Sequence, residues 1–145
     1  MKSSITAVLL ALAAGTALAQ ATPVGLWKTI DDETKTEKSQ VRITESGGVL
    51  SGKIEKLTDP AKQDAKCDKC ADERKDKPVI GMTIVRNAKA DAALAVWEGG
   101  EILDPNDGKV YRLKMTPIEG GKKLEVRGFI GFALLGRTQT WVRVE

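Results

Sequence analysis

The sequence predicts an all-β protein, an up-and-down barrel of about eight antiparallel strands, and three observations support this fold class. Apolar and polar residues alternate, as in KVYRLKM at residues 109–115, a pattern typical of strands that are buried on one face. Trp27 and Trp141 lie in alternating stretches near the two ends of the chain, where a closed barrel joins its first and last strands. Glycine pairs that favour tight turns separate alternating stretches, at residues 47–48 and 120–121.

The alternation places the strands in order along the chain. The first begins at GLWKTI, the second places Val41 and Ile43 on one face, and the third does the same with Leu50 and Ile54. A DPNDG turn precedes the sixth strand, and its Asp, Pro, Asn and Gly residues favour a hairpin connection rather than a calcium loop. The predicted strands are residues 25–31, 39–46, 49–57, 79–86, 92–102, 109–117, 122–130 and 136–144.

Residues 59–77 interrupt this pattern with twelve charged side chains, six of each sign. Asp59 followed by Pro60 is typical of the start of a helix. We therefore expect a short charged helix or an ordered loop outside the barrel. Because the charges cancel, the segment is expected to be solvated rather than to bind an anion.

Cys67 and Cys70 form a C-x-x-C motif that is compatible with three structures. A local disulfide is the simplest, a thiol–disulfide redox site requires a thiolate of lowered pKa, and a zinc site requires four ligands. The chain has two cysteines and no histidine, so a zinc site would need other ligands. We expect the disulfide, with no bound metal and no cofactor.

The first residues, MKSSITAVLLALAAGTALAQ, have the features of a secretory signal peptide. Lys2 precedes an apolar run, and Ala17-Leu18-Ala19 is a small-residue cleavage site. We expect residues 1–19 to be removed and residues 20–145 to form a single β-barrel domain in the periplasm or outside the cell, without a stable membrane span. The full chain carries a formal net charge of +3, which is too balanced for a nucleic-acid-binding protein.

Four blocks carry a resemblance to a known family: PVGLWKT, CDKCADERKDKPVIGM, WEGGEILDPNDGKVYRLKM and LEVRGFIGFALLGRTQTW. In this order they resemble the exported bacterial domain-of-unknown-function family 2147. The resemblance implies a lipocalin-like barrel in the bacterial envelope and no established reaction. Gly25 and Trp27 also resemble the Gly-x-Trp of calycins, in which an arginine of the last strand covers the tryptophan ring. Arg137 or Arg143 could supply that arginine, and we assign barrel closure to Gly25, Trp27 and Arg143.

The last strand leaves the character of the barrel interior open. If Trp141 faces inward, its polar neighbours do too, and the barrel holds a partly polar ligand site. If Val142 faces inward, the barrel has a filled apolar core.

A second ambiguity concerns GFIGFALLG at residues 128–136, which is either a buried cap or a loop at the mouth of a cavity. The candidate ligand-binding residues are Tyr111, Arg127, Phe132, Arg137, Gln139 and Trp141.

These observations favour a binding protein over an enzyme. We expect a small apolar or amphipathic ligand in the barrel, or alternatively an envelope protein–protein interaction module that uses the apolar loop 129–135. Without histidine, acid–base catalysis would rest on carboxylates or lysines, and Glu98, Glu101 and Asp104 are the nearest cluster in sequence. No catalytic residue is therefore assigned, and the oligomeric state stays open.

Overall fold

Eight strands form a closed antiparallel barrel in the computed structural model, which describes residues 21–132 and 134–145. Each strand pairs with the next in sequence, and the first also pairs with the last. The predicted fold class is therefore confirmed. The predicted signal peptide lies outside the described residues. The strands are β1 (Gly25–Ile30), β2 (Glu37–Ser46), β3 (Val49–Leu57), β4 (Thr83–Asp91), β5 (Val96–Asp104), β6 (Lys109–Ile118), β7 (Lys123–Phe129) and β8 (Gly136–Arg143).

The fourth and fifth strands lie further along the chain than the predicted 79–86 and 92–102. They are joined by a turn at residues 92–95, which the alternation had assigned to a strand. The Asp91 carboxylate accepts a hydrogen bond of 3.1 Å from the Ala93 N–H, and Ala95 has a φ of 52°. The turn thus forms through a side-chain bond and one left-handed residue, without glycine or proline.

The charged segment between β3 and β4, residues 58–82, is an ordered loop and not a helix. Its one helical element is a single 3₁₀ turn, Pro60–Lys62, capped by the Asp59 carboxylate, which accepts from the Ala61 N–H at 2.9 Å. Across residues 21–132 and 134–145 no helix has the length and apolar character needed to cross a membrane.

Trp27 is buried where β1 meets β8 and the barrel closes. Its side chain has no solvent exposure, and its indole N–H donates to the Pro23 carbonyl oxygen at 2.7 Å. Trp27 pairs with Arg143 across the two strands, and the Arg143 guanidinium carbon lies 4.2 Å from the ring centroid. This distance is that of a cation–π contact.

Arg143 also ties together three segments of backbone at this end. Its guanidinium donates to the carbonyl oxygens of Thr22, Val24 and Gly121 at 2.7, 2.8 and 2.5 Å. A Cβ at Gly25 would overlap this guanidinium, so glycine leaves the space through which the arginine passes. The closure therefore depends on a tryptophan, an arginine and a glycine acting together.

Candidate functional site

A cavity of about 1150 Å³ opens at one end of the barrel. Four connections contribute to its rim, at residues 31–36, 58–82, 105–108 and 130–135. We call this the open end, and the end that holds Trp27 and Arg143 the closed end. Small-molecule pockets commonly measure roughly 300–1,000 Å³, so the open end has room for a small ligand.

Trp141 faces the barrel interior, which answers the question that the sequence left open. Its side chain is 2% exposed and lines the cavity together with Gln139 and Arg137. Val126 of β7 pairs with Gln139 and also lines the cavity. The interior is therefore partly polar, as the inward orientation of Trp141 predicts.

The deeper wall of the cavity is mainly apolar. Side chains from β3, β4, β5 and β7 contribute to it beside Trp141. These side chains are Ile54, Ile84, Ile102 and Val126. Most of them also belong to the hydrophobic core, so the floor of the cavity is formed by the core that fills the rest of the barrel.

A chain of polar contacts runs from the cavity floor to the rim. The Trp141 indole N–H donates to Gln139 Oε1, and Gln139 Nε2 donates to Asp32 Oδ2, both at 3.3 Å. Asp32 Oδ2 lies 3.6 Å from Arg137 Nε, and Arg137 Nη2 lies 3.9 Å from Asp104 Oδ2. Three of the predicted ligand-binding residues, Arg137, Gln139 and Trp141, are thus in one network.

Tyr111 supplies a further polar group to the cavity wall, near Asp104 and Arg137. Its hydroxyl donates to Asp107 Oδ2 at 2.6 Å. This hydrogen bond, with burial and the nearby carboxylates, raises the pKa of Tyr111 to about 12. The hydroxyl's bond to Asp107 holds the 105–108 turn against the cavity wall.

The wall also contains a buried hydroxyl pair that was not among the predicted ligand-binding residues. Thr29 Oγ1 and Ser39 Oγ lie 2.6 Å apart, and both residues line the cavity while being 8% and 7% exposed. Thr29 shares the face of Trp27, and Ser39 shares the face of Val41. The period of two along both strands was the signal that could have located them.

Two predicted ligand-binding residues lie outside the cavity. Arg127 is on the outer face of β7, because its neighbours Val126 and Gly128 line the interior, and its Nη1 donates to Thr138 Oγ1 at 2.9 Å. Phe132 is 77% exposed and is not among the cavity-lining residues. Neither side chain lines the cavity, since strand alternation turns Arg127 outward and the loop carries Phe132 beyond the mouth.

The apolar loop between β7 and β8 is exposed at the open end. Ile130, Phe132, Leu134 and Leu135 are 60%, 77%, 91% and 71% exposed, and Ala133 lies outside the described residues. Ile130 and Leu135 line the cavity mouth. The loop is therefore not the buried cap that the sequence also allowed.

The segment 58–82 forms one wall of the rim and is held by a disulfide. Cys67 and Cys70 are bonded, with Cα atoms 5.4 Å apart, and are 0% and 3% exposed. Lys62, Ala65 and Lys66 of the same segment line the cavity. No group of three or more His, Cys, Asp or Glu side chains in the described residues is placed to hold a metal ion.

A buried arginine fixes the same segment to the barrel. Arg74 is 5% exposed, its Nη1 donates to the Thr83 carbonyl oxygen at 2.9 Å, and its Nη2 lies 2.6 Å from Asp72 Oδ2. Hydrogen bonds from Arg74 hold the pKa of Asp72 at about 2. Most charged side chains of the segment are exposed, as expected of a solvated segment, but its two cysteines and Arg74 are buried against the barrel.

A closed eight-stranded antiparallel barrel with a cavity that opens at one end is the architecture of the lipocalin-like class of proteins. A solved structure shares this architecture: a protein from the human pathogen Helicobacter pylori, HP1028, which is described as belonging to the lipocalin family. The two align with a TM-score of 0.74 and 19% sequence identity, over 86% of this chain and 84% of that one. At this identity the likeness concerns the fold.

The sequence profile of a bacterial family covers nearly the whole barrel. Residues 25–143 match domain-of-unknown-function family 2147, described as uncharacterized proteins conserved in bacteria. The chain belongs to this family. None of the curated protein sequences compared with the chain matches it.

Proposed function

We propose that the barrel binds a small amphipathic ligand in its open-ended cavity. The observation that carries this proposal is the 1150 Å³ cavity itself, with an apolar floor and polar groups near its rim. The apolar part of the ligand would pack on Trp141, Ile54 and Val126. Its polar part would lie near Gln139 and Arg137, since both lie between the floor and solvent.

The experiment is native mass spectrometry of the protein purified from its own periplasm, followed by binding of N-phenyl-1-naphthylamine, an apolar fluorescent probe. Gln139→Trp places a large ring in the cavity, whereas Thr140→Trp places the same ring on the exposed outer face of β8. Probe affinity is expected to fall at least tenfold in the first variant and to stay within about twofold in the second. Equal affinity in both variants would contradict cavity binding.

We also propose that the protein binds its ligand without transforming it. Glu98, Glu101 and Asp104, the nearest cluster of carboxylates in sequence, do not converge in the cavity, because only Asp104 is among its lining residues. The polar groups of the interior already bond to one another, as in the Trp141–Gln139 contact. An unchanged mass of the co-purified molecule after prolonged incubation with fresh protein would agree with binding alone.

Export is proposed on the signal-like sequence of residues 1–19. The barrel begins at Gly25, a few residues beyond the predicted cleavage site, so cleavage would leave every strand intact. The Cys67–Cys70 disulfide supports an oxidising compartment. Intact mass of the protein from the periplasmic fraction is expected to correspond to residues 20–145 with two thiol hydrogens lost. A full-length or fully reduced mass would contradict this.

A further inference from the structure

The hairpin connection between β7 and β8 concentrates exposed apolar side chains at the open end. Ile130, Phe132, Leu134 and Leu135 are 60–91% exposed, and the sequence from Phe129 to Gly136 contains no charged or polar side chain. We propose that this hairpin tip inserts into the surface of a lipid bilayer, so that the mouth of the barrel faces the membrane. The other exposed large apolar residues of the described chain are separated in sequence: Val24, Leu94, Val110 and Val144.

The exposed apolar area of the tip is smaller than a stable protein interface requires, whereas insertion into a bilayer has no such minimum. Its four side chains expose roughly 600 Å², at about 200 Å² for a fully exposed large apolar side chain. A stable protein–protein interface takes about 800 Å² from each partner, spread over about 20–30 residues. A bilayer, by contrast, requires no shape match, and each apolar side chain that enters the acyl boundary adds to the binding free energy.

The apolar surface of the tip continues into the cavity. Ile130 and Leu135 line the cavity mouth, whereas Phe132 and Leu134 lie beyond it. A molecule that moved from the bilayer along this surface would keep its apolar part away from water. This transfer step rests on the proposed ligand binding, whereas insertion of the tip does not.

The charges around the rim indicate what kind of bilayer the tip would enter. Both signs are present, so the rim offers no net attraction to an anionic surface. Insertion would therefore depend on the apolar tip, would occur on zwitterionic lipid and would resist salt, which screens charge but not apolar transfer. The charged residues lining the cavity are Asp31, Glu37, Lys38, Asp59, Lys62, Lys66, Asp68, Lys69, Asp104, Asp107 and Arg137.

Vesicle flotation of the purified chain tests the proposal. Vesicles of phosphatidylcholine alone, and of phosphatidylcholine with phosphatidylglycerol, would be used at about 0.1 M and about 0.5 M salt. Wild type is expected to float with both, with less than about a threefold effect of salt. Phe132→Ser with Leu134→Ser is expected to lower vesicle partitioning at least tenfold. Leu94→Ser is the matched control, because Leu94 is 62% exposed in the β4–β5 turn, at the other end of the barrel.

A tryptophan reporter locates the tip within the bilayer. The three native tryptophans are 0–8% exposed, so Phe132→Trp adds an exposed indole that brominated lipid can quench, and Leu94→Trp is the control that should stay unquenched. Absence of flotation, equal flotation of the serine variant, or an unquenched indole at position 132 would overturn the proposal. A dimer detected by light scattering, which the serine substitutions abolish, would also overturn the proposal if no vesicle binding is seen.

Binding of the naphthylamine probe in the cavity of the serine variant is expected to be unchanged. This measurement separates a failure of membrane docking from a failure of ligand binding.

Discussion

Replacing Trp27 with Ala is expected to destabilise the closed end by about 3–5 kcal/mol, the range for truncating a large buried aromatic. The ring has no solvent exposure, and its removal leaves a void beneath the Arg143 guanidinium, which lies 4.2 Å from the ring centroid. The substitution also leaves the Pro23 carbonyl oxygen without the 2.7 Å indole N–H bond. Burial, the cation–π contact and the hydrogen bond share the same atoms, so their separate values are not added.

For a domain of this size, each kcal/mol shifts the melting temperature by about 3–5 °C. The variant is therefore expected to melt about 10–25 °C below wild type. Urea denaturation followed by far-ultraviolet circular dichroism is the suitable assay, because removing a tryptophan alters the fluorescence signal itself. The free energy of unfolding, not the slope of the transition, should change.

Two comparisons make the result specific to closure. Trp27→Phe keeps an aromatic face under Arg143 and is expected to lose less than Trp27→Ala, whereas Thr140→Ala on the exposed outer face of β8 is expected to stay within about 0.5 kcal/mol of wild type. A chain that ends at Leu135 lacks β8 and is expected not to fold. If Trp27→Ala lowers the free energy of unfolding by less than about 1 kcal/mol, the ring does not hold the barrel closed.

Three further predictions concern the open end. Replacing Cys67 and Cys70 together with Ser is expected to leave the barrel folded and to cost about 2 kcal/mol or less in a urea titration, because the disulfide closes a very short loop; loss of folding would refute this. Tyr111 is the single tyrosine of the chain, and the midpoint of its absorbance titration is expected near pH 12. The stabilising hydrogen bond to Asp107 is present below pH 10 and is lost as the pH rises through 12. A titration midpoint near the ordinary value of pH 10 would argue against this hydrogen bond. Asp72→Asn is expected to lower the free energy of unfolding by about 1–3 kcal/mol at neutral pH. Because the pKa of Asp72 is lowered to about 2, this difference in stability from wild type should persist above pH 4 and vanish as the pH falls through 2. A difference in stability that does not depend on pH would exclude the carboxylate as its cause.

The strand pattern was predictable from sequence where one face of a strand is consistently apolar. Val41 and Ile43 in β2 and Leu113 and Met115 in β6 are all buried, as their alternation predicted. The turn at residues 92–95 was not predictable in the same way. Its Ala-Ala-Leu-Ala sequence carries no turn-forming glycine or proline, and its geometry depends on the Asp91 side chain. An apolar composition alone does not separate a strand from such a turn.

The cavity was only partly predictable, because β8 has no consistently apolar face. Arg137 and Gln139 share the face of Trp141, whereas the other face carries Thr138, Thr140 and Val142. Only pairing with β7, whose inward face is clear from Leu124 and Val126, decides which face is inside. The rim was less predictable still, since Arg74 and the two cysteines lie among charged residues, and no period marks them as buried.

The polar groups of the interior bear on what a ligand can gain by binding. No buried side-chain nitrogen or oxygen atom in the described residues lacks a hydrogen-bond partner, and the Thr29–Ser39 and Trp141–Gln139 contacts exist before any ligand arrives. A ligand that replaced these contacts would exchange one hydrogen bond for another, which contributes little net free energy. If the barrel binds a ligand as proposed, affinity would therefore come chiefly from apolar contact with the cavity floor. Discrimination among ligands would fall to the more exposed Arg137, whose ion pairs of 3.6 and 3.9 Å are the longest in the polar chain and so the least costly to rearrange.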